Sequence, residues 1–232
     1  MSEEDGLVTL HDEMSRRSRL RTAAAAQDDG LRRRLIEALL VPERRKMTYE
    51  EFLAWLDEDT LAEWVDGEVV MTSPASKQHQ GIADLLLKLM GIYVEIRDLG
   101  TVISAPFQMK LGQGREPDLL FVAREHMDRL KDTYLDGPAD LVVEIVSPES
   151  IGRDRGDKFC EYERAAIPEY WLIDPVREQA EFYQYDRGRY RLVLPDAAGV
   201  YRSAVLPGFW LRVEWLWHAP PVLQALLELQ VI

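Results

Sequence analysis

The stretch Asp140-Leu141-Val142-Val143-Glu144-Ile145-Val146 decides how this chain is read: a short β-branched run with one acid inside it. A second run, Arg115-Glu116-Pro117-Asp118-Leu119-Leu120-Phe121-Val122, has the same character after its polar start. Nearly continuous apolar runs of this length are expected of interior strands covered on both faces. An ionised carboxylate in that setting is costly unless a cation compensates it. Two of them, converging from neighbouring strands, suit a divalent metal, because hard ions such as Mg²⁺ take oxygen ligands. Asp118 and Glu144 are therefore the first candidate site residues.

Working outward, Ser147-Pro148-Glu149-Ser150-Ile151-Gly152 is a loop by composition, followed by a helix over about residues 154–166. Lys158 falls on the first turns of that helix, one turn below Tyr162, from where it could reach back over the edge of the sheet. Glu169-Tyr170-Trp171-Leu172-Ile173-Asp174 reads as a strand ended by Pro175, and two further strands near 181–185 and 190–194 as a hairpin turned at Asp186-Arg187-Gly188. Upstream, Thr48-Tyr49-Glu50-Glu51 is a capping box. Residues 64–71 read as a strand with a turn or bulge at Asp66-Gly67. Over residues 76–97, Ile82, Leu85, Leu86, Leu89, Met90 and Tyr93 make a single apolar helical stripe. A strand around 102–110 leads to a Gly112/Gly114 turn, and a last helix covers about 221–229. Strands and helices mixed in this order predict an α/β (α+β) protein.

The chain of 232 residues carries a net charge of −13 and a single cysteine, Cys160, so no internal disulfide can form. No apolar run approaches the ~18–20 residues needed to cross a bilayer, and the acidic start Met1-Ser2-Glu3-Glu4-Asp5 is not a signal peptide. A cytoplasmic location without membrane contact is the expectation. Residues 1–46 differ from the rest, with an alanine run and ten basic against nine acidic residues; they read as a partly disordered or helical N-terminal extension. The domain proper is placed at 47–232, where 18 basic face 32 acidic residues, a net of −14. That balance is poor footing for tight nonspecific binding to nucleic acid. It does not exclude a local basic cleft, and bound cations change the local field.

Carboxylates on adjacent strands with a lysine on the following helix form the set that phosphodiester hydrolysis needs: acids to hold one or two metals, and a lysine to steady the water or the developing charge. Several ordered motifs then resemble one family. They are Glu63-Trp64-Val65-Asp66-Gly67-Glu68, Ser73-Pro74 with His79-Gln80, Ala105-Pro106-Phe107, Pro117-Asp118, Glu144-Ile145-Val146-Ser147-Pro148-Glu149-Ser150, Asp154 with Lys158 and Tyr162-Glu163, and Ile167 to Pro175. Across roughly residues 47–195 the chain resembles the bacterial Uma-type family of restriction endonucleases, in the PD-(D/E)XK nuclease superfamily. The resemblance implies a restriction-endonuclease-like fold, a central mixed β-sheet flanked by helices, with metal at the carboxylate pair.

Carried over residue by residue, the resemblance gives Pro117-Asp118 as the PD element and Glu144 as the (D/E). Val146 stands where the superfamily lysine is expected, and Lys158 on the next helix takes its place. Glu63 matches a glutamate that adds a metal ligand, and His79 a histidine near the site. The implied function is a Mg²⁺- or Mn²⁺-dependent endonuclease acting on DNA, with Asp118, Glu144 and Lys158 catalytic and Asp118, Glu144 and Glu63 on the metal. The alternative is a catalytically inactive nuclease-fold module for binding or assembly, and a third option is a nuclease for RNA or small substrates.

Blander readings exist for each residue. Asp118 could cap a turn after Pro117, Glu144 could form a structural buried ion pair, and Lys158, Glu63 and His79 could be solvated. Ser147 lacks the surroundings of a nucleophile and reads as turn-forming. The four histidines lack zinc spacing, and Cys160 is core or neutral. Trp210, Trp215 and Trp217 crowd near the C-terminus, where they could bury a homodimer surface.

Overall fold

In the computed structural model of this chain, residues 46–56, 60–71, 75–147 and 150–232 are described. The extension expected over 1–46 therefore lies outside the described residues except for Lys46, as do Ser73-Pro74 and Pro148-Glu149. Helix α1 (Tyr49–Trp55) opens on the expected capping box, with Thr48 accepting from the Glu51 amide while Glu51 accepts from the Thr48 amide. Strands β1 (Ala62–Val65) and β2 (Glu68–Met71) follow. They correct the single strand read over 64–71: Asp66 and Gly67 both take positive φ, 50° and 89°, and turn the chain into a two-residue hairpin.

Helix α2 (Lys77–Ile96) matches its predicted span and buries the predicted stripe, with Ser76 accepting from the His79 amide at its start. The strand read over 102–110 is two strands. β3 (Gly100–Ser104) and β4 (Gln108–Lys110) are separated by the cis Ala105–Pro106 bond and enter different sheets. A proline cannot donate to a ladder, which is why pairing stops there. β5 (Gly114–Arg115), β6 (Leu119–Ala123), β7 (Tyr134–Asp136) and β8 (Leu141–Ile145) come next. A widened π turn over Arg153–Asp157 runs into α3 (Lys158–Arg164). The remainder is β9 (Glu169–Asp174), β10 (Gln179–Asp186), β11 (Arg189–Val193), β12 (Val200–Arg202), β13 (Trp210–Arg212) and α4 (Val222–Glu228).

The larger sheet runs β11-β10-β9-β8-β6-β3 and is mixed. Only β8 and β9 among its neighbours are parallel, and α3 lies on the crossover that a parallel pair requires. The smaller sheet runs β2-β1-β5-β4-β7. Strand alternation sorts the core into two layers. Leu119, Phe121, Leu141, Val143, Ile145, Trp171 and Ile173 face α2 and the C-terminal elements. Leu120, Val122, Val142, Val146, Tyr170 and Leu172 face the other way, with Met109, Leu135 and Tyr162.

On the first side, Glu169 is wholly buried and has no cationic partner among the described residues. It accepts from Trp171 Nε1, Tyr201 Oη, Ser203 Oγ and the amides of Ala204 and Val205. Five donors of this kind keep a buried carboxylate satisfied. Trp215 is buried in that layer, and Trp210 and Trp217 pack against it. Among the described residues no helix is long and apolar enough to cross a membrane.

The β3–β6 pairing depends on Gly100, whose φ of +142° and close approach leave no room for a side chain: a Cβ there would stand 2.1 Å from the Val122 carbonyl oxygen. Gly100→Ala is expected to destabilise the domain by at least about 2 kcal/mol in urea denaturation. A variant as stable as the parent would contradict this edge of the sheet.

Candidate active site

The same alternation that builds the core aims the two acids. Glu144 shares its face of β8 with Val142 and Val146, on the α3 side of the sheet. Leu119 pairs with Val143 and Leu120 with Val142, so one step further the register brings Asp118 opposite Glu144 on that face. Like charges directly opposed across a ladder are destabilising by themselves. Asp118 meets this locally: Oδ2 accepts from the Ile145 amide at 2.7 Å, and Oδ1 lies 3.1 Å from His79 Nε2. His79 comes from the first turn of α2, so the helix start and the strand end are tied together.

Lys158 compensates Glu144. Its Nζ donates to both carboxylate oxygens, at 3.0 and 2.9 Å, and lies 2.8 Å from Glu63 Oε1 and 3.4 Å from Asp154 Oδ1. Tyr162, one turn on, donates to Glu144 Oε1 at 2.6 Å. Glu63 arrives from β1 and is shared with Arg115 of β5, whose Nη1 lies 3.1 Å away. Arg115 makes a two-pronged contact with Glu161 of α3 at 2.7 Å on each prong. The result is an alternating chain, Glu161–Arg115–Glu63–Lys158–Glu144, that fastens the small sheet, α3 and the large sheet to one another. Arg115, Glu63, Glu144 and Lys158 are each 5% exposed or less.

The structure thus brings Glu63, Glu144 and Lys158 into contact, with Asp118 and His79 beside them. The sequence reading assigned no part in the site to Arg115, Glu116, Asp154, Glu161 or Tyr162. Asp154, Lys158 and Tyr162 stand four apart, a polar stripe that helical spacing could have revealed. Arg115 gave no such signal, because its partners lie 52 residues before it and 46 after. Ser147 and Ser150 hydrogen-bond each other's amides and shape the loop between β8 and the π turn.

Burial pushes the Glu144 carboxyl well above the usual range; Lys158 pulls it down, while Asp154, Asp118 and Glu63 push it further up. Burial alone would lower Lys158, yet Glu144, Glu63 and Asp154 outweigh it and hold the ammonium protonated. Glu63 is drawn below the ordinary carboxylate value, since Lys158 and Arg115 together outweigh its burial. Glu116 is pushed up to about 7 by burial and by the neighbouring Glu63 charge. His79 is raised: burial lowers it, but the Asp118 carboxylate prevails.

These groups open on a cleft of about 560 Å³. Five carboxyl groups line it (Glu63, Glu116, Asp118, Glu144 and Asp154) against Lys158, Arg153 and His79. Asp154 Oδ1 is buried and accepts no hydrogen bond. These are hard oxygen donors of the kind Mg²⁺ or Mn²⁺ takes, although among the described residues no three acid, histidine or cysteine side chains converge as a ready-made metal site. The Glu144 and Asp118 carboxyl oxygens keep lone pairs beyond those their hydrogen bonds use.

A mixed sheet flanked by helices, with acids at the ends of two central strands and a lysine on the crossover helix, defines a restriction-endonuclease-like α/β protein. The Uma2 family, described as "Putative restriction endonuclease", matches residues 49–214, and the chain belongs to that family. A solved structure from Anabaena variabilis ATCC 29413, described as "a putative nuclease belonging to DUF820", has the same fold. Its TM-score is 0.63 at 17% identity, over 74% of this chain and 98% of that chain. No curated protein matches.

Replacing Lys158 by methionine leaves Glu63, Glu144 and Asp154 buried without their shared cation. The Lys158→Met variant is expected to lose about 3–5 kcal/mol of stability. Urea unfolding followed by tryptophan fluorescence measures this, and an unchanged midpoint would show that the ammonium does not hold the cluster.

Proposed function

We propose that this protein is a metal-dependent endonuclease that hydrolyses phosphodiester bonds, with DNA as the substrate. The observation that carries this reading is the pairing of Asp118 and Glu144 on one face of adjacent strands, at the wall of an open cleft, with Lys158 bound to Glu144. The fold alone hosts many activities, so the site has to bear the argument.

Asp118 and Glu144 would hold Mg²⁺ or Mn²⁺, with Glu63 as a further ligand. When bound, the ion supplies polarisation of the phosphate and a more acidic attacking water. Lys158 remains protonated among its three carboxylates, so it acts as a donor, holding the attacking water or the charge that grows on the phosphate oxygens. Tyr162 fixes the Glu144 carboxylate in orientation, and the Ile145 amide and His79 fix that of Asp118.

A second reading has its own support. Glu144 and Glu63 are already engaged by Lys158, Tyr162 and Arg115 within the protein, as in a structural ion cluster. That arrangement, with the −14 charge of residues 47–232, favours a nuclease-fold binding module that no longer cuts. Cleavage separates the two. Supercoiled plasmid and single-stranded DNA are incubated with Mg²⁺ or Mn²⁺, beside Glu144→Gln and Asp118→Asn.

The expected outcome is metal-dependent cutting that falls by more than about 100-fold in either variant, beyond what loss of an outer-shell partner costs. Thermal unfolding should show both variants folded. Cutting that persists in both would remove the proposed site. No cutting by the parent, with no heat of Mn²⁺ binding in calorimetry, would establish the inactive module. Cutting of RNA in preference to DNA would revise the substrate while leaving the site in place.

A further inference from the structure

The cations around the cleft are nearly all committed. Lys158 serves Glu63, Glu144 and Asp154, and Arg115 serves Glu63 and Glu161. Arg155, in the same π turn as Arg153, is paired with Glu181 at 2.5 Å and reaches Asp174 at 4.0 Å. Arg153 is different. It lines the cleft beside the carboxylates and forms no ion pair among the described residues, while the Nε of each of the two arginines is buried with no hydrogen-bond partner. The residue as a whole is half-buried, so its terminal Nη donors remain available to an anion in the cleft.

The backbone beneath this side chain is fixed by the charge cluster. The Arg153 amide donates to Ser150 at 2.9 Å, and the Lys158 amide returns to the Arg153 carbonyl across the widened turn. Asp154, the next residue, is one of the acids around Lys158. Single π turns of this kind are frequent at functional sites. The guanidinium is therefore rooted one residue from the carboxylates, while one of its donors awaits an acceptor.

We propose that Arg153 holds a phosphate of the nucleic-acid substrate beside the carboxylate pair; the proposal rests on the nuclease reading above. A guanidinium presents donors in a planar fork that matches two phosphate oxygens, and such charge-assisted bonds are roughly twice as strong as neutral ones. Phosphate in the cleft would meet the terminal Nη donors of the guanidinium and supply its anion, since Glu63, Glu144 and Asp154 are already engaged by Lys158. Leu61 and Met71, apolar and 37% and 45% exposed, also line the cleft and suit the sugar or base attached to that phosphate.

The test measures binding and cutting separately, on the full chain. A fluorescein-labelled single-stranded oligonucleotide is titrated by anisotropy with Ca²⁺ in place of Mg²⁺, over a range of salt. Arg153→Gln is expected to weaken binding about tenfold, the size of one charge-assisted contact. The slope of log affinity against log salt should become shallower by about 0.7, one phosphate fewer. Melting temperature and the heat of Mn²⁺ binding should match the parent, and in cleavage assays KM should rise more than kcat falls. Arg153→Lys keeps the charge but loses the fork, so it should restore the salt slope and only part of the affinity.

If Arg153→Gln binds and cuts as the parent does, with the same salt slope, the proposal is overturned and the nuclease stands. If Arg153→Gln fails to fold, Arg153→Lys with unaltered affinity and KM overturns it equally. If the parent neither binds nor cuts the oligonucleotide with Mn²⁺ bound, the nuclease reading falls and this proposal with it.

Discussion

One ammonium group organises the centre of this protein. Lys158 Nζ stands among Glu63, Glu144 and Asp154, and every element around it is placed by the need to keep that charge balanced. β1 must deliver Glu63, β8 must deliver Glu144, and the π turn must carry Asp154 round to the start of α3. Here the buried charges of both signs balance one another as a closed set; left without partners, each would cost several kcal/mol in desolvation. Arg115 extends the set to Glu161 and so fastens the small sheet to the crossover helix.

Two glutamates on adjacent strands of the same sheet show how environment sets role. Glu169 on β9 is enclosed by five neutral donors from Trp171, Tyr201, Ser203 and two amides. Its charge is dispersed over fixed dipoles, and it holds the C-terminal layer in place. Glu144 on β8 faces the other way, into a cleft, and is balanced by a single mobile-stemmed lysine and one phenol. Only the second arrangement leaves lone pairs and open space together, which is what a metal or a reacting phosphate requires.

The acidity of the domain and its function as proposed are compatible once the charges are taken locally. Under the proposed function, a divalent ion would offset the surplus of carboxyl groups around the cleft that otherwise repels phosphate, so metal and substrate binding would be linked through the same field. Glu116, pushed up to about 7, and the raised Glu144 owe their shifts first to burial, with neighbouring carboxylates adding to it. The guanidinium of Arg153, without an ion pair among the described residues, lines the same cleft, where an anion can be met without first displacing a carboxylate.

The sequence by itself determined what depends on local pattern. The apolar stripe from Ile82 to Tyr93, the capping box at Thr48, and the central strands around Asp118 and Glu144 all follow from spacing and side-chain type. An acid amid Val-Val-Glu-Ile-Val is conspicuous because burial of charge is costly wherever the chain goes. Tertiary structure decided what depends on distant partners. The split of residues 102–110 between two sheets, the hairpin at Asp66-Gly67 read as one strand, and β7 were settled by pairing choices that alternation in a short run does not specify. Arg115 joins Glu63 and Glu161 across gaps of 52 and 46 residues, and Glu169 finds donors 32 to 36 residues on. Charge balance inside a protein is a property of three-dimensional neighbours, so a sequence can mark which charge needs a partner while only the fold names the partner.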